Sequence, residues 1–430
     1  NTPTNGYHPL WFAIITLLQV ISNDPYFLML MVAIITFLSL IVSYFYLNRL
    51  YFYFSRNIST SNYLSIISTS LFLIYFAQGM EIVLVFPLIA LLFYYLVTDK
   101  YSSFGIGLLF NIIFLSRLDS VFLLLLIFVY LVFKKRSLVL DYKFYIPFIL
   151  SLVYVISNVF FFDTLLPISG VAKQLKTSYT PVFNAVNTIF ILQRDRIIYG
   201  LVPFIFFVIN YILLIKYSKK DFSLLFLLIN TFPLLFSIYN VIFSGWYYWS
   251  WYYYIFYPSI LVFFILLIQT KIFESFIKKL LPVSTVLIIL FYFHIIERNN
   301  DVSKTLIYEN AIELLEYEMQ HPGVYAMGDR AGLISYLIDS PLIHLEGLVM
   351  DKEYISNLKT TPKLIDLLKK YKVDYYIASN PKKLKNGYMV EEPTRIHEYM
   401  ITSVDTLNVI PFIIEDNKGW KFYIFDMRSK

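Results

Sequence analysis

Residues 103–136 read SFGIGLLFNIIFLSRLDSVFLLLLIFVYLVFKKR. Two apolar runs, 103–116 and 120–133, flank a polar corner at Ser116-Arg117-Leu118-Asp119, and the second run stops at the basic triplet Lys134-Lys135-Arg136. Apolar runs bounded by basic clusters are the pattern of helices that cross a bilayer, where the backbone must satisfy its own hydrogen bonds. The same alternation repeats along most of the chain, with further runs near 26–48, 62–77, 82–97, 144–162, 198–217, 222–243, 252–270 and 280–296. Several are shorter than the ~20 residues that a straight span needs.

Composition agrees. Hydrophobic residues make up 58% of the 430 positions and mean hydropathy is +0.65, above the roughly 45–50% apolar content of soluble domains. The excess sits before about residue 297, after which charged residues return at ordinary density. The expected architecture is an all-α polytopic membrane domain of about ten transmembrane helices followed by a small α/β extracytoplasmic domain. Its parts are an outer loop with an interfacial helix at 1–25, a multi-pass region at 26–296 and a soluble α/β domain at 297–430. The apolar stretch from Pro9 to Ser22 is short and precedes Asn23-Asp24-Pro25, so it reads as interfacial or re-entrant. The chain begins with Asn1 rather than Met, with no signal peptide ahead of it, and an N-terminal truncation is expected.

Net charge is +6, but the basic residues fall in short clusters between apolar runs, where they set orientation rather than bind nucleic acid. Arg49 with Arg56, Lys134 to Arg136, Lys216 with Lys219 and Lys220, and Lys271 with Lys278 and Lys279 fall on one side if the runs alternate. The positive-inside rule makes that side cytoplasmic. The opposite face then gathers residues 4–11, the 78–81 and 116–119 corners, the 163–196 loop, the aromatic 246–251 stretch and the C-terminal domain. Lys173, Lys176, Arg194 and Arg196 lie on that outer face against the charge rule, and a basic patch there suits an anionic ligand. The absence of cysteine excludes disulfides, thiolate nucleophiles and cysteine metal sites.

After residue 297 the pattern changes. Residues 324–327 read as a strand, Gly328-Asp329 as a turn, 331–337 as a helix, 362–371 as a helix, 373–378 as a strand, and 410–414 with 420–425 as a hairpin.

Ionisable groups at membrane depth are functional candidates. Glu81 stands at a helix start, where the dipole also favours a carboxylate structurally. Arg117 and Asp119 either neutralise each other or present Arg117 to a phosphate with Asp119 holding its side chain. In Pro167-Ile168-Ser169-Gly170-Val171-Ala172-Lys173 the proline and glycine shape a loop, and Lys173 offers a compact cation or a merely solvated one. Asn5 and His8 precede Pro9-Leu10-Trp11, where a histidine is commonly interfacial. The Trp246 to Trp251 run reads as an aromatic belt or as a surface on which sugars stack. Gly328-Asp329-Arg330-Ala331-Gly332 resembles a phosphate-cradling turn without a full nucleotide fingerprint.

Taken in order, Thr4-Asn5-Gly6-Tyr7-His8-Pro9-Leu10-Trp11, Gly79-Met80-Glu81, Arg117-Leu118-Asp119, Pro167-Ile168-Ser169-Gly170 with Lys173, and Gly328-Asp329 followed by Leu345-Glu346-Gly347-Leu348 resemble the GT-C superfamily of membrane glycosyltransferases. The similarity is to the dolichyl-phosphate-mannose-protein mannosyltransferase-like branch. It implies a multi-pass cell-membrane enzyme moving a sugar from a polyprenyl-phosphate carrier to an acceptor hydroxyl, on a glycan or a protein, at the outer face. Asn5, His8, Glu81, Arg117, Asp119, Ser169 and Lys173 would bind substrate. The catalytic base of such enzymes is an acidic motif upstream of the His-Pro-Leu-Trp segment and is expected ahead of Asn1. No metal ligands are assigned, although Glu81 and Asp119 could help to place a divalent cation. The competing expectations are a transporter or lipid flippase of cell-envelope precursors, whose path would be lined by the same charges, and a non-enzymatic assembly or receptor protein.

Overall fold

The computed structural model describes residues 4–76, 80–176, 197–217, 220–244, 246, 250–270, 303–379, 381–393, 400–415 and 419–428, together with positions 286, 290 and 293. Within these residues the apolar runs form helices: Pro25–Ser55, Ile58–Phe76, Ile82–Thr98, Ser103–Ser116, Val121–Lys134, Phe148–Phe162, Ile197–Tyr217, Lys220–Phe243 and Tyr257–Gln269. The run expected at 280–296 lies outside the described residues, apart from those three positions. Residues 9–21, expected as an interfacial segment, form the helix Pro9–Ile21.

Local chemistry explains where these helices start and stop. Pro25 opens a helix whose free N–H groups at Tyr26 and Phe27 donate to the Asp24 carboxylate at 3.2 and 3.3 Å. Ser102 accepts from the Gly105 N–H in the same way. Arg56, Asp99 and Asp163 close helices in the left-handed conformation, with φ of 55°, 57° and 53°.

The expectation of about ten spans is corrected in one respect. Among the described residues three stretches are long and apolar enough to cross a bilayer: Tyr26–Ser55, Phe222–Phe243 and Tyr252–Gln269. Others are apolar but short; Ser103–Ser116 and Val121–Lys134 have 14 residues each, about 21 Å of helix against a hydrocarbon core of about 30 Å. Polar residues are the physical reason: the Arg117 to Asp119 corner ends the first helix and delays the start of the second, which stops at Lys134. Leu30, Phe37, Leu38, Ile41 and Phe45 lie exposed along Pro25–Ser55, an apolar surface that fits membrane association. At the centre of the bundle, Ile82–Thr98 buries Ile82, Phe86, Ile89, Phe93 and Leu96.

The C-terminal region is built on a five-stranded sheet of order β2-β1-β3-β8-β7, with β1 Tyr325–Met327, β2 Leu342–His344, β3 Tyr375–Ala378, β7 Phe412–Glu415 and β8 Lys421–Asp426. β1 pairs in parallel with β2 and β3, whereas β8 pairs antiparallel with β3 and β7. β4 Lys382–Leu384, β5 Gly387–Glu392 and β6 Ser403–Leu407 form a second, antiparallel sheet. Strand alternation divides β1 and β3 between two cores: Tyr325, Met327, Tyr375 and Ile377 join helix Ser303–Gln320 through Ala311 and Leu314, while Ala326, Tyr376 and Ala378 face Leu364, Leu367 and Leu368. The expected strand, helix and hairpin positions recur here, including the helix at Ala331–Leu337; residues 416–418 of the hairpin turn lie outside the described residues.

The second of these cores also takes in a segment from the helical region. Ile168, Ala172 and Leu175 are buried in one cluster with Leu345, Tyr354 and Leu358, and the Ile401 N–H donates to the Leu175 carbonyl at 3.4 Å. Asn5 completes the junction: its Nδ2 donates to Thr164 Oγ1 at 3.0 Å and its Oδ1 accepts from the Ile168 N–H at 2.8 Å. Beside it Gly6 is so close that a Cβ there would stand 1.9 Å from the Leu348 carbonyl oxygen. Gly6→Ala should therefore loosen the junction at a cost of about 1–3 kcal/mol. Amide hydrogen exchange of the full chain should rise at residues 164–176 and 342–350, and unchanged exchange there would show that the contact is dispensable.

Candidate functional site

Several helix ends meet at one point. His8 immediately precedes Pro9–Ile21, Glu81 precedes Ile82–Thr98, and Arg117 follows Ser103–Ser116 in an extended conformation before the 3-10 turn Leu118–Ser120 carries Asp119. A second 3-10 stretch, Ser250–Phe256, leads into Tyr257–Gln269 and supplies Tyr252 and Tyr254.

Arg117 is the hub. Its side chain is 2% exposed, so its charge needs partners within the protein. Nη1 donates to Glu81 Oε1 at 2.9 Å, Nε to Asp119 Oδ1 at 2.9 Å and Nη2 to Asp119 Oδ2 at 3.3 Å. The contact with Asp119 is bidentate, the geometry that suits a planar guanidinium. Tyr254 donates its hydroxyl to Asp119 Oδ1 at 2.7 Å, and the Arg117 guanidinium lies 4.2 Å from the Tyr254 ring centroid and 5.5 Å from that of Tyr252. His8 accepts the Leu118 N–H at Nδ1, 3.4 Å away, and approaches Glu81 Oε1 with Nε2 at 3.4 Å. An acceptor at Nδ1 places the ring proton of a neutral imidazole on Nε2, facing Glu81.

Lys173 joins through Tyr252. It sits at the end of the short helix Ile168–Lys173, donates from Nζ to Tyr252 Oη at 2.7 Å and lies 5.4 Å from that ring's centroid. Tyr252 thus touches both cations. Among the residues singled out in the sequence, His8, Glu81, Arg117 and Asp119 are in direct contact, and Lys173 reaches them through one tyrosine. Asn5 is a structural clamp on the loop that carries Lys173. Ser169 shares that short helix. Arg194 and Arg196 lie outside the described residues, as do Gln78, Gly79 and Tyr247 to Trp249. Of the two readings open for Arg117, mutual neutralisation is what the contacts favour, because the guanidinium faces two carboxylates and almost no solvent.

Tyr252 and Tyr254 were not singled out by sequence reasoning, although they directly follow the aromatic run at 246–251. Nothing in their spacing separates a tyrosine that bonds a buried carboxylate from one in an interfacial belt.

A second polar group stands across the junction, in the C-terminal domain. Glu346 follows β2, Asp329 follows β1, and Glu392 ends β5. Burial, reinforced by the Asp329 charge and opposed by Lys173, pushes the Glu346 carboxyl up to about 7. Burial likewise raises Glu392 to about 8, with Tyr376 opposing and Glu346, Asp329 and Glu391 reinforcing. Burial lowers His344 to about 4 and keeps it neutral. A phosphate-cradling role for residues 328–332 is not supported: a Cβ at Gly328 would stand 1.9 Å from Glu392 Oε2, Asp329 adds a further carboxylate, and helix Ala331–Leu337 spans only seven residues. No group of three or more His, Asp or Glu side chains among the described residues is arranged to hold a metal ion.

No model of a known protein family matches the chain, and no curated protein matches it.

Two outcomes follow from this geometry. Arg117→Met leaves the buried Glu81 and the partly exposed Asp119 without their cation and should cost about 3–5 kcal/mol, read as a fall in melting temperature. Adding Glu81→Gln and Asp119→Asn should restore most of it; a single mutant as stable as the parent would mean that the charges are wet. The second concerns pH. Glu346 and Glu392 bind protons more tightly folded than unfolded, where an ordinary glutamate sits near 4.5. Their contribution is complete below about 4.5 and is lost as pH rises through about 7 and about 8. Hydrogen exchange in β1 and β3 should therefore quicken between these limits beyond its intrinsic pH dependence, and Glu392→Gln should remove the upper part of that excess.

Proposed function

We propose that the chain is a multi-pass membrane glycosyltransferase of the GT-C kind, taking its sugar from a polyprenyl-phosphate carrier and passing it to an acceptor hydroxyl at the extracytoplasmic face. The observation that carries this reading is the Lys173-Tyr252-Arg117 contact, which links a loop cation to a buried network of Glu81, Asp119, His8 and Tyr254 at the helix ends. The resemblance in residues 4–11, 79–81, 117–119, 167–173, 328–329 and 345–348 supports it from a separate direction.

Each residue has a distinct task. Departure of the carrier builds negative charge on its phosphate, and a fixed cation lowers the energy of that charge most where water is scarce. Lys173 serves this end: its ammonium spends one hydrogen bond on Tyr252 and keeps donors for phosphate oxygens. Arg117 acts one step back, as the counter-ion that lets Glu81 and Asp119 remain buried beside the headgroup. Asp119, with its side chain 22% exposed, and His8, 31% exposed, are the members of the network nearest to solvent and can meet a substrate hydroxyl. The resemblance puts the base that deprotonates the acceptor upstream of His8, and no residue of this chain is assigned that role. The lipid tail stays in hydrocarbon beside the exposed apolar helix faces while its headgroup reaches the polar helix ends, with the C-terminal domain on the same outer side. No nucleic acid has a part, and a divalent cation has no assigned ligand.

The test is transfer by the full-length protein, including any sequence ahead of Asn1, in lipid nanodiscs supplied with polyprenyl-phosphate-linked sugar and membrane extract as acceptor. Lys173→Ala should lower the rate by about 10²-fold, and Lys173→Arg should recover part of it. Transfer that survives Lys173→Ala would remove the phosphate-holding role. Movement of the lipid-linked sugar across a vesicle membrane without transfer would favour a flippase.

A further inference from the structure

The parallel part of the C-terminal sheet reverses direction at β1. The chain leaves β1 through helix Ala331–Leu337 to reach β2 on one side, while β3 lies on the other. In open α/β sheets, ligands bind beyond the carboxyl ends of the strands where connections diverge in this way. The residues just past those ends are Asp329 after β1, Glu346 after β2 and Ser379 after β3, and the Ser379 hydroxyl donates to the Asp329 carbonyl at 3.4 Å.

Glu392 reaches the same place from the other sheet. Its Oε1 accepts from the Tyr376 hydroxyl at 2.9 Å, but its Oε2 has no hydrogen-bond partner, although the residue is only 5% exposed. That orphan oxygen lies against Gly328, the first residue past β1, as shown by the 1.9 Å to which a Cβ there would approach it. Glu346 lies at the end of the neighbouring strand. Unlike Glu392 it is partly open, with its side chain 20% exposed; His344 Nε2 stands 3.9 Å away, beyond hydrogen-bond range, and the buried His344 Nδ1 has no partner. Folded proteins seldom leave a buried atom such as Glu392 Oε2 or His344 Nδ1 unsatisfied, and each such atom calls for a physical reason.

We propose that the carboxyl ends of β1, β2 and β3 bind a saccharide through its hydroxyl groups, with Glu392 and Glu346 as the contacting acids and Asp329 beside them. The chemistry selects hydroxyls. Phosphate would meet three acids, a metal ion would find no group of ligands arranged for it among the described residues, and a ligand ammonium would compete with Lys173, whose charge already acts on Glu346. A carboxyl that can hold its proton both donates and accepts, as a sugar hydroxyl does. In the transfer proposed above this saccharide is the acceptor, and its role rests on that reading. Its binding needs no donor lipid, so a failure of transfer and a failure of this site are separate results.

The test is saturation-transfer NMR on the full chain in nanodiscs with the methyl glycosides of glucose, galactose, mannose and N-acetylglucosamine. At least one should receive saturation from the protein. The signal should fall by about tenfold in Glu346→Ala and in the double variant Glu392→Met with Tyr376→Phe, which replaces the acid and its donor by apolar groups of similar size. That double variant should melt no lower than the parent, because it removes an unsatisfied buried oxygen. Absence of signal from all of these glycosides, or signal that persists in both variants, would overturn the site. A double variant that melts well below the parent would make Glu392 a structural residue and would equally overturn its role.

Discussion

A guanidinium almost wholly withdrawn from water is the constraint around which the helical region is arranged. Arg117 can be buried only if opposite charge and hydrogen-bond acceptors are already in position, because the desolvation of an ion is repaid only by close partners. Glu81 and Asp119 provide them from the start of one helix and from the turn after another. Tyr254 and His8 then satisfy the remaining surfaces of those carboxylates from two further segments. Helix ends that are far apart in sequence are thereby pinned at one depth, since moving any of them would strand a charge.

The second constraint is the way the helical region and the sheet domain share a core. Ile168, Ala172 and Leu175 belong to a connection between helices, yet they bury their side chains among Leu345, Tyr354 and Leu358. Asn5 holds that connection from the N-terminal side with both ends of its amide, so the Ile168 N–H has an acceptor despite its burial. The close approach of Gly6 to Leu348 depends on the lack of a side chain there. The Lys352–Asp163 ion pair bridges the same junction at 2.5 Å, but both side chains are exposed, so its contribution is small beside the apolar contacts.

These two constraints together set the polar chemistry of the molecule. The junction fixes Lys173, since the short helix that bears it is the one whose other face enters the sheet domain's core. The ion cluster fixes Tyr252 and Tyr254 on their 3-10 turn, and Tyr252 closes the link to Lys173. On the far side of the junction, burial biases Glu346 and Glu392 toward holding protons, against the charge of Lys173 at Glu346 and the Tyr376 hydrogen bond at Glu392. One polar group is thus balanced in charge and hydrogen bonding, whereas the other retains an oxygen, Glu392 Oε2, without a donor.

Hydropathy by itself determined that this chain has a helical, apolar part and a later mixed part, because a run of apolar residues can be stable only where it is buried or in lipid. Charge at the ends of those runs marked Glu81, Arg117, Asp119 and Lys173 as unusual, and the strand and helix positions at 325–337 and 364–378 were legible from their periodicity. The two 14-residue helices on either side of Arg117 to Ser120 were legible as short runs, but the number of spans was overestimated, since a helix of that length falls short of the bilayer core. Only the tertiary structure decided that Arg117 is enclosed by two carboxylates rather than open to solvent. It alone brought Tyr252 and Tyr254 to the ions and Glu392 to the end of β1. Such meetings depend on distances through space between segments more than a hundred residues apart, and no local pattern of side chains carries that information.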